Sequence, residues 1–306
     1  MKDKIKSLIN KFMPSAVFVL AGRFSIVRSS DYFSKKPLQA LLKYFKWVFY
    51  DFFNLDINFT TPDGTKFFSM SKNYSSFIVC FDDYRDKTIQ KFIEKKLAPG
   101  DVFVDAGANI GTYTIRAGKV LGKDGKVIAI EAHPKTYSYL LKNIELNDLK
   151  NVVPVNVALG SENGEIEMSY NESNAGETHV SKGEENKINV KLEKLDSVLD
   201  KLGVDRVDYI KVDVEGFEHS LILGSKNTIL QNRDIIVQTE LIDEHSRKYG
   251  HPITDLIDLM YSFGLSPHEV YADGSFKKLS REEILKPCDV LWWRDWWKKK
   301  TKEIIF

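Results

Sequence analysis

Residues 209–222 read YIKVDVEGFEHSLI. The stretch opens like a buried strand, with apolar Ile210, Val212 and Val214, then offers Asp213 and Glu215 before a turn at Gly216. Beyond the turn the apolar spacing becomes helical through Phe217, Leu221 and Ile222. Two carboxylates at the end of an apolar strand are costly to desolvate without partners. Strand alternation places Asp213 and Glu215 on one side of the chain. Ligands of open α/β sheets sit beyond the carboxyl ends of the strands, so the pair is expected to face a cleft. The competing assignment is a helix cap, with one of the two accepting amide bonds from the turn.

The surrounding sequence makes this the fourth strand of a parallel sheet. From about Asp83, KTIQKFIEKKL reads as a helix, DVFVDAGANIG as a strand and glycine loop, and TYTIRAGKVLG as a helix. KVIAIEAHP then reads as a strand, KTYSYLLKNIELN as a helix and VVPVNVAL as a strand. After YIKVDVEG come a helix over FEHSLILGSKNTIL, the strand RDIIVQTEL and the helix ITDLIDLMYSFG. Last strands are expected near 265–272 and 289–293. Such alternation predicts a doubly wound, mostly parallel sheet. The polar, Gly/Asn/Glu-rich segment 164–195 breaks the alternation and reads as an inserted hairpin or lid.

The first strand ends in Asp105, followed by Gly107, Asn109 and Gly111 before a helix. Gly107 lets the backbone turn sharply and a ligand approach closely. The helix N-terminus behind it can hold polar or anionic groups. The spacing D-x-G-x-x-x-G is neither the dinucleotide fingerprint nor a P-loop. The second strand ends in Glu131, 26 residues after Asp105. An acid there is placed to accept hydrogen bonds from a ribose diol. Small Ala158, near the end of the third strand, leaves room for a flat base.

VFVDAGANIGTYT, VIAIEAHP, NVALG and above all IKVDVEGFE resemble the signature stretches of the FkbM family of S-adenosylmethionine-dependent methyltransferases. The resemblance covers roughly residues 83–242. It implies a class I methyltransferase (Rossmann-like) α/β fold and O-methylation of a sugar or polyketide hydroxyl. By the same resemblance Asp105, Gly107, Ala108, Asn109 and Gly111 surround the methionine end of the cofactor. Glu131 and Ala132 flank its ribose, and Asn156 to Ala158 approach the adenine. Asp213 borders the transferred methyl together with Glu215. A sugar hydroxyl is a poor nucleophile until its proton leaves. Asp213, Glu215 and Glu240, with His219 or His245, are therefore candidate bases. Paired carboxylates can also hold a divalent ion, but no further ligand is identifiable and no metal is expected.

The 306 residues carry a net charge of +1 that is unevenly spread. Residues 1–50 hold ten Lys/Arg against two Asp, a balance of +8, and residues 291–306 a balance of +3, so 51–290 carries −10. An acidic body repels phosphate backbones, which argues against nucleic acid. The chain also lacks the Asn/Asp-Pro-Pro-Tyr/Phe stretch of amino-group methylation. The alternatives are a methyltransferase acting on another small-molecule hydroxyl, on protein or on nucleic acid, and a non-catalytic Rossmann-like binding protein. The basic ends suit an anionic membrane surface and an acceptor such as a lipid-linked glycan. No run approaches the ~20 apolar residues of a spanning helix, and a cytoplasmic location is expected. Cys80 and Cys288 read as free thiols. No oligomeric state follows from the sequence.

The expected organisation is thus a basic helical and hairpin extension over 1–78, a methyltransferase domain over 79–293 and a basic aromatic tail over 294–306. Within the extension, residues 1–13 read as an amphipathic helix, a second helix follows Pro37, and Asp63-Gly64 marks a hairpin.

Overall fold

The structure is a computed structural model that describes residues 20, 22–61, 63–70, 73–82, 87–170, 178–180, 186–271, 273–286 and 288–295. The expected helix over 1–13, the middle of the 164–195 insertion and the tail beyond Asp295 lie outside the described residues. The chain divides into two compact units, residues 1–85 and 86–306.

In the first unit, residues 22–29 form α1, Asp31–Lys35 form α2 and Pro37–Phe52 form α3. The hairpin β1 (Ile57–Thr60) and β2 (Lys66–Ser69) follows, then α4 (Tyr74–Asp82). Pro37 occupies the start of α3, where its fixed φ suits the first turn and its missing N–H costs nothing. Ala40, Tyr44 and Trp47 form the buried face of α3, and Trp47 packs edge-on against Phe59 and Phe77. Cys80 is a buried free thiol, and burial pushes it up to about 12.

The second unit opens with α5 (Lys87–Lys96), β3 (Val102–Ala106), α6 (Thr112–Leu121), β4 (Lys126–Ile130), α7 (Pro134–Leu146) and β5 (Val152–Val155). A second sheet follows: β6 (Ala158–Leu159), β7 (Gly164–Tyr170), β8 (Thr178–Val180) and β9 (Lys187–Glu193). The chain then runs through α8 (Leu195–Leu202), β10 (Tyr209–Val212), α9 (Glu218–Leu223), α10 (Lys226–Gln231), β11 (Ile236–Leu241), α11 (Asp243–Arg247) and α12 (Ile253–Ser262). It finishes with β12 (Ser266–Val270), β13 (Phe276–Lys278) and β14 (Cys288–Trp293).

The main sheet has the order β13-β12-β14-β11-β10-β3-β4-β5. Strands β5, β4, β3, β10 and β11 are parallel, and β14 runs antiparallel between β11 and β12. This is the class I methyltransferase arrangement. Strands buried on both faces read as continuous apolar runs: Val127 to Ile130 and Tyr209 to Val212 are all buried. The order reverses at β3 and β10, so the switch point lies between the loops that follow them.

Three local expectations change. VVPVNVAL is not one strand: β5 ends at Val155, and Ala158–Leu159 pairs in parallel with β9 in the second sheet. FEHSLILGSKNTIL breaks into α9 and α10 because Gly224 lies directly on the backbone of Gly160. A Cβ there would stand 1.9 Å from the Gly160 carbonyl oxygen. The Asp196 carboxylate restarts the helix by accepting the Asn227 and Thr228 N–H groups at 3.0 and 2.9 Å. Finally, alternation in YIKVDVEG stops at Val212, and Glu215 takes a left-handed φ of 54°. The same-side argument for Asp213 and Glu215 therefore does not apply.

Candidate active site

The loop after β3 is built from left-handed residues. Gly107, Asn109 and Gly111 have φ of 79°, 51° and 96°. The Gly107 and Ala108 N–H groups donate to the Ile130 carbonyl at 3.0 and 2.9 Å, tying the loop to the tip of β4. A Cβ on Gly107 would lie 1.8 Å from the Asp213 carbonyl oxygen. Glycine is thus required where the β3 and β10 loops touch, in addition to any room a ligand needs. Gly111 caps α6 against Leu140.

Glu131 closes the β4 tip. Its Oε2 accepts the Asn109 N–H and its Oε1 the His133 N–H, both at 2.9 Å. Burial outweighs these donors and pushes the carboxyl up to about 7. Each oxygen keeps a second lone pair, a pair of acceptors that suits the vicinal hydroxyls of a ribose. Exposed Asn156 donates through Nδ2 to the Glu131 and Ala132 carbonyls at 2.7 and 2.9 Å. Ala158 is buried with Met168, Val190 and Leu192 of the second sheet, and Ala132 packs against that cluster.

Asp105 is fully buried. Thr114 Oγ1 donates to its Oδ2 at 2.6 Å, while Oδ1 accepts no hydrogen bond among the described residues. Lys211, its register partner on β10, stands 3.6 Å from Oδ1. The same Nζ donates to the Gly107 carbonyl at 3.0 Å and pairs with Asp213 at 3.1 Å. Burial opposes the Lys211 charge, but Asp213 and Asp105 more than offset it and hold the ammonium above its ordinary value. Tyr113, beneath that ammonium, also meets Gln238, which accepts from Tyr209. The sequence reading missed Lys211. Its signal was a lone lysine within the apolar run Tyr209–Val212.

On the β10–β11 side the groups are more open. The Asp213 side chain is 45% exposed and that of Glu215 36%. Glu215 Oε2 lies 3.7 Å from His245 Nδ1. Gly216 presses on the same residue, and a Cβ there would stand 2.6 Å from the His245 carbonyl. Glu240, at the end of β11, is half-buried opposite Asp289. The carboxylate that serves the turn is Glu218. It accepts the Val214 and Gly216 N–H groups at 3.2 and 3.1 Å, and burial pushes it up to about 7. Neither Asp213 nor Glu215 fills that role. His219 stacks on His251 at 4.0 Å, and burial lowers its pKa. Among the described residues no group of three or more His, Cys, Asp or Glu is arranged to hold a metal ion.

The loops thus set a buried, backbone-held carboxylate on one side of the switch point and more open carboxylates with a histidine on the other. Three curated relatives are similar to this chain. Methyltransferase sdnD of Sordaria araneosa is 26% identical over 211 residues, 58% of this chain and 79% of that protein. Hexuronic acid methyltransferase AglP of Haloferax volcanii is 26% identical over 153 residues, 50% of this chain and 62% of that protein. 2-O-methyltransferase NoeI of Sinorhizobium fredii is 26% identical over 196 residues, 58% of this chain and 77% of that protein. Residues 105–265, from the buried Asp105 to the start of β12 and just over half of the chain, match the family profile described as the methyltransferase FkbM domain. The chain belongs to the FkbM methyltransferases, and its cofactor is S-adenosylmethionine.

Proposed function

We propose that the protein methylates a hydroxyl of a neutral sugar in a glycan or glycolipid. When bound, S-adenosylmethionine supplies an electrophilic methyl on sulfur. Glu131 accepts both ribose hydroxyls beside Ala132, Asn156 and Ala158 flank the adenine, and the 105–111 loop with Asp213 encloses the methionine end. His245 takes the proton of the acceptor hydroxyl as the oxygen attacks. Glu215 positions His245 and stabilises the imidazolium that forms. They stand 3.7 Å apart, within the looser range of catalytic pairs in ligand-free enzymes. Asp213 and Glu240 accept hydrogen bonds from neighbouring sugar hydroxyls.

The observation that carries this reading is the placement of half-buried Glu215 3.7 Å from His245, with exposed Asp213 on the same turn, beyond the carboxyl ends of β10 and β11. Carboxylates suit hydroxyl-rich ligands, and they disfavour an acceptor that brings its own carboxylate. The relatives AglP and NoeI, by their names a hexuronic acid methyltransferase and a 2-O-methyltransferase, support a sugar and an oxygen respectively. The test offers neutral hexose and hexuronic acid oligosaccharides with labelled S-adenosylmethionine and maps the product by mass spectrometry. Label on a hydroxyl oxygen of the neutral sugar is expected. Label on nitrogen, on carbon or only on a uronic carboxylate would overturn the reading. His245→Ala and Glu215→Gln should each lower turnover by roughly 10²–10⁴-fold without weakening cofactor binding.

A further inference from the structure

Helix α3 carries a row of large apolar side chains on the side away from its buried face. Leu38, Leu42, Phe45, Phe49 and Phe52 recur at i, i+4, i+7, i+11 and i+14, a single stripe, and each is 54–78% exposed. The opposite face, through Ala40, Tyr44 and Trp47, already anchors the helix. Single exposed apolar residues are ordinary, but a continuous stripe of this length marks an interaction surface.

Charge identifies the partner. Exposed Lys35 and Lys36 stand at the N-terminal end of the stripe, and exposed Lys46 stands beside it. Lys43 is turned inward, bonded to the Thr60 and Cys80 carbonyls. The acid of α3, Asp51, is taken by Arg23. Residues 1–50 contain no Glu. A second copy laid along the stripe would set lysine against lysine, since the acid of α3, Asp51, already pairs with Arg23. An anionic lipid surface matches the lysines and the apolar row together. At 16 residues α3 is too short to cross a bilayer, and no described helix is long and apolar enough to do so.

We propose that α3 docks the protein on an anionic lipid bilayer, with the Leu38–Phe52 stripe seated at the acyl boundary and Lys35, Lys36 and Lys46 among the headgroups. The test is flotation of the full chain with vesicles of phosphatidylcholine alone or mixed with phosphatidylglycerol. Flotation is expected with the anionic vesicles at low salt and about tenfold less with neutral vesicles or at high salt. The double variant Phe45→Asp/Phe49→Asp should stay in solution with unchanged cofactor affinity. Lys35→Glu/Lys46→Glu should lose the salt-sensitive part. Absence of flotation with anionic vesicles overturns the proposal. So does flotation that survives in Phe45→Asp/Phe49→Asp, which puts the lipid contact elsewhere. A wild-type dimer that this variant converts to a monomer, without vesicle binding, also overturns it and assigns the stripe to a second copy.

Discussion

Glu131 and Glu215 both follow parallel strands, and both belong to the stretches by which the family is recognised. Yet one is buried and the other partly open. Glu131 is clasped by two backbone N–H groups, donors that no side-chain substitution removes. Glu215 sits in a left-handed conformation and faces His245 across 3.7 Å. Backbone donors fix the first carboxylate, which suits its proposed role of holding the cofactor ribose. The second is partly open and stands 3.7 Å from His245, on the side where the acceptor is proposed to bind.

Lys211 ties these two sides together, since its ammonium meets Asp105, the Gly107 carbonyl and Asp213. Removing it should break the comparison most severely. Lys211→Met leaves Asp105 buried and uncompensated, a change that typically costs about 3–5 kcal/mol. Urea denaturation should show the loss, and Asp105→Asn in the same chain should recover part of it. A Lys211→Met protein within 1 kcal/mol (roughly the scale of an ordinary mutation) of the wild type would mean that the two loops are held by Gly107 packing alone.

A smaller change separates the sides. Glu131→Gln keeps the shape of the β4 tip but removes the charge proposed to accept two ribose hydroxyls. Charge-assisted hydrogen bonds contribute roughly 1.5–3 kcal/mol, so cofactor affinity should fall about ten- to hundredfold by calorimetry. Glu215→Gln should leave that affinity unchanged. Equal losses in the two variants would put both carboxylates in the cofactor half.

What was legible in the sequence follows the same division. The parallel sheet, the glycine loop and Glu131 could be read because each is written locally: apolar runs for β3, β4 and β10, glycines for left-handed φ, and an acid at a strand tip. The reason for Gly107 could not be read in full, because the Asp213 carbonyl that excludes a Cβ is 106 residues away in sequence. Lys211 was missed for a related reason: its partners Asp105 and Gly107 come from another strand. Glu218 was hidden because a buried cap on the loop before α9 looks, in sequence, like any acid in a first helical turn. The break after Val155 also escaped, since a single polar residue, Asn156, marks it in the otherwise apolar VVPVNVAL.

The smallest expected effect tests whether Glu131 is ionised in the complex. Burial pushes its carboxyl up to about 7 in the free protein, so near neutral pH a substantial fraction carries a proton. A protonated carboxyl has lost one acceptor position and its charge, and it is a poorer partner for two ribose hydroxyls. If the ionised form binds, lowering the pH through 7 adds the cost of deprotonation to binding. From pH 8 to pH 6 affinity should then drop about tenfold, or ~1.4 kcal/mol. The free protein has the opposite dependence. A carboxyl raised from its ordinary 4.5 contributes most below 4.5, and that contribution is lost as pH rises towards 7. Glu218 is raised by burial in the same way and adds to that stability trend. It does not touch the proposed ribose site, so the affinity profile distinguishes the two acids. Calorimetry at pH 6, 7 and 8 on wild type and Glu131→Gln should therefore show a slope in the first and a flat line in the second. A flat wild-type profile would mean that Glu131 keeps one protonation state throughout, and a slope surviving in Glu131→Gln would move the titrating group elsewhere in the site.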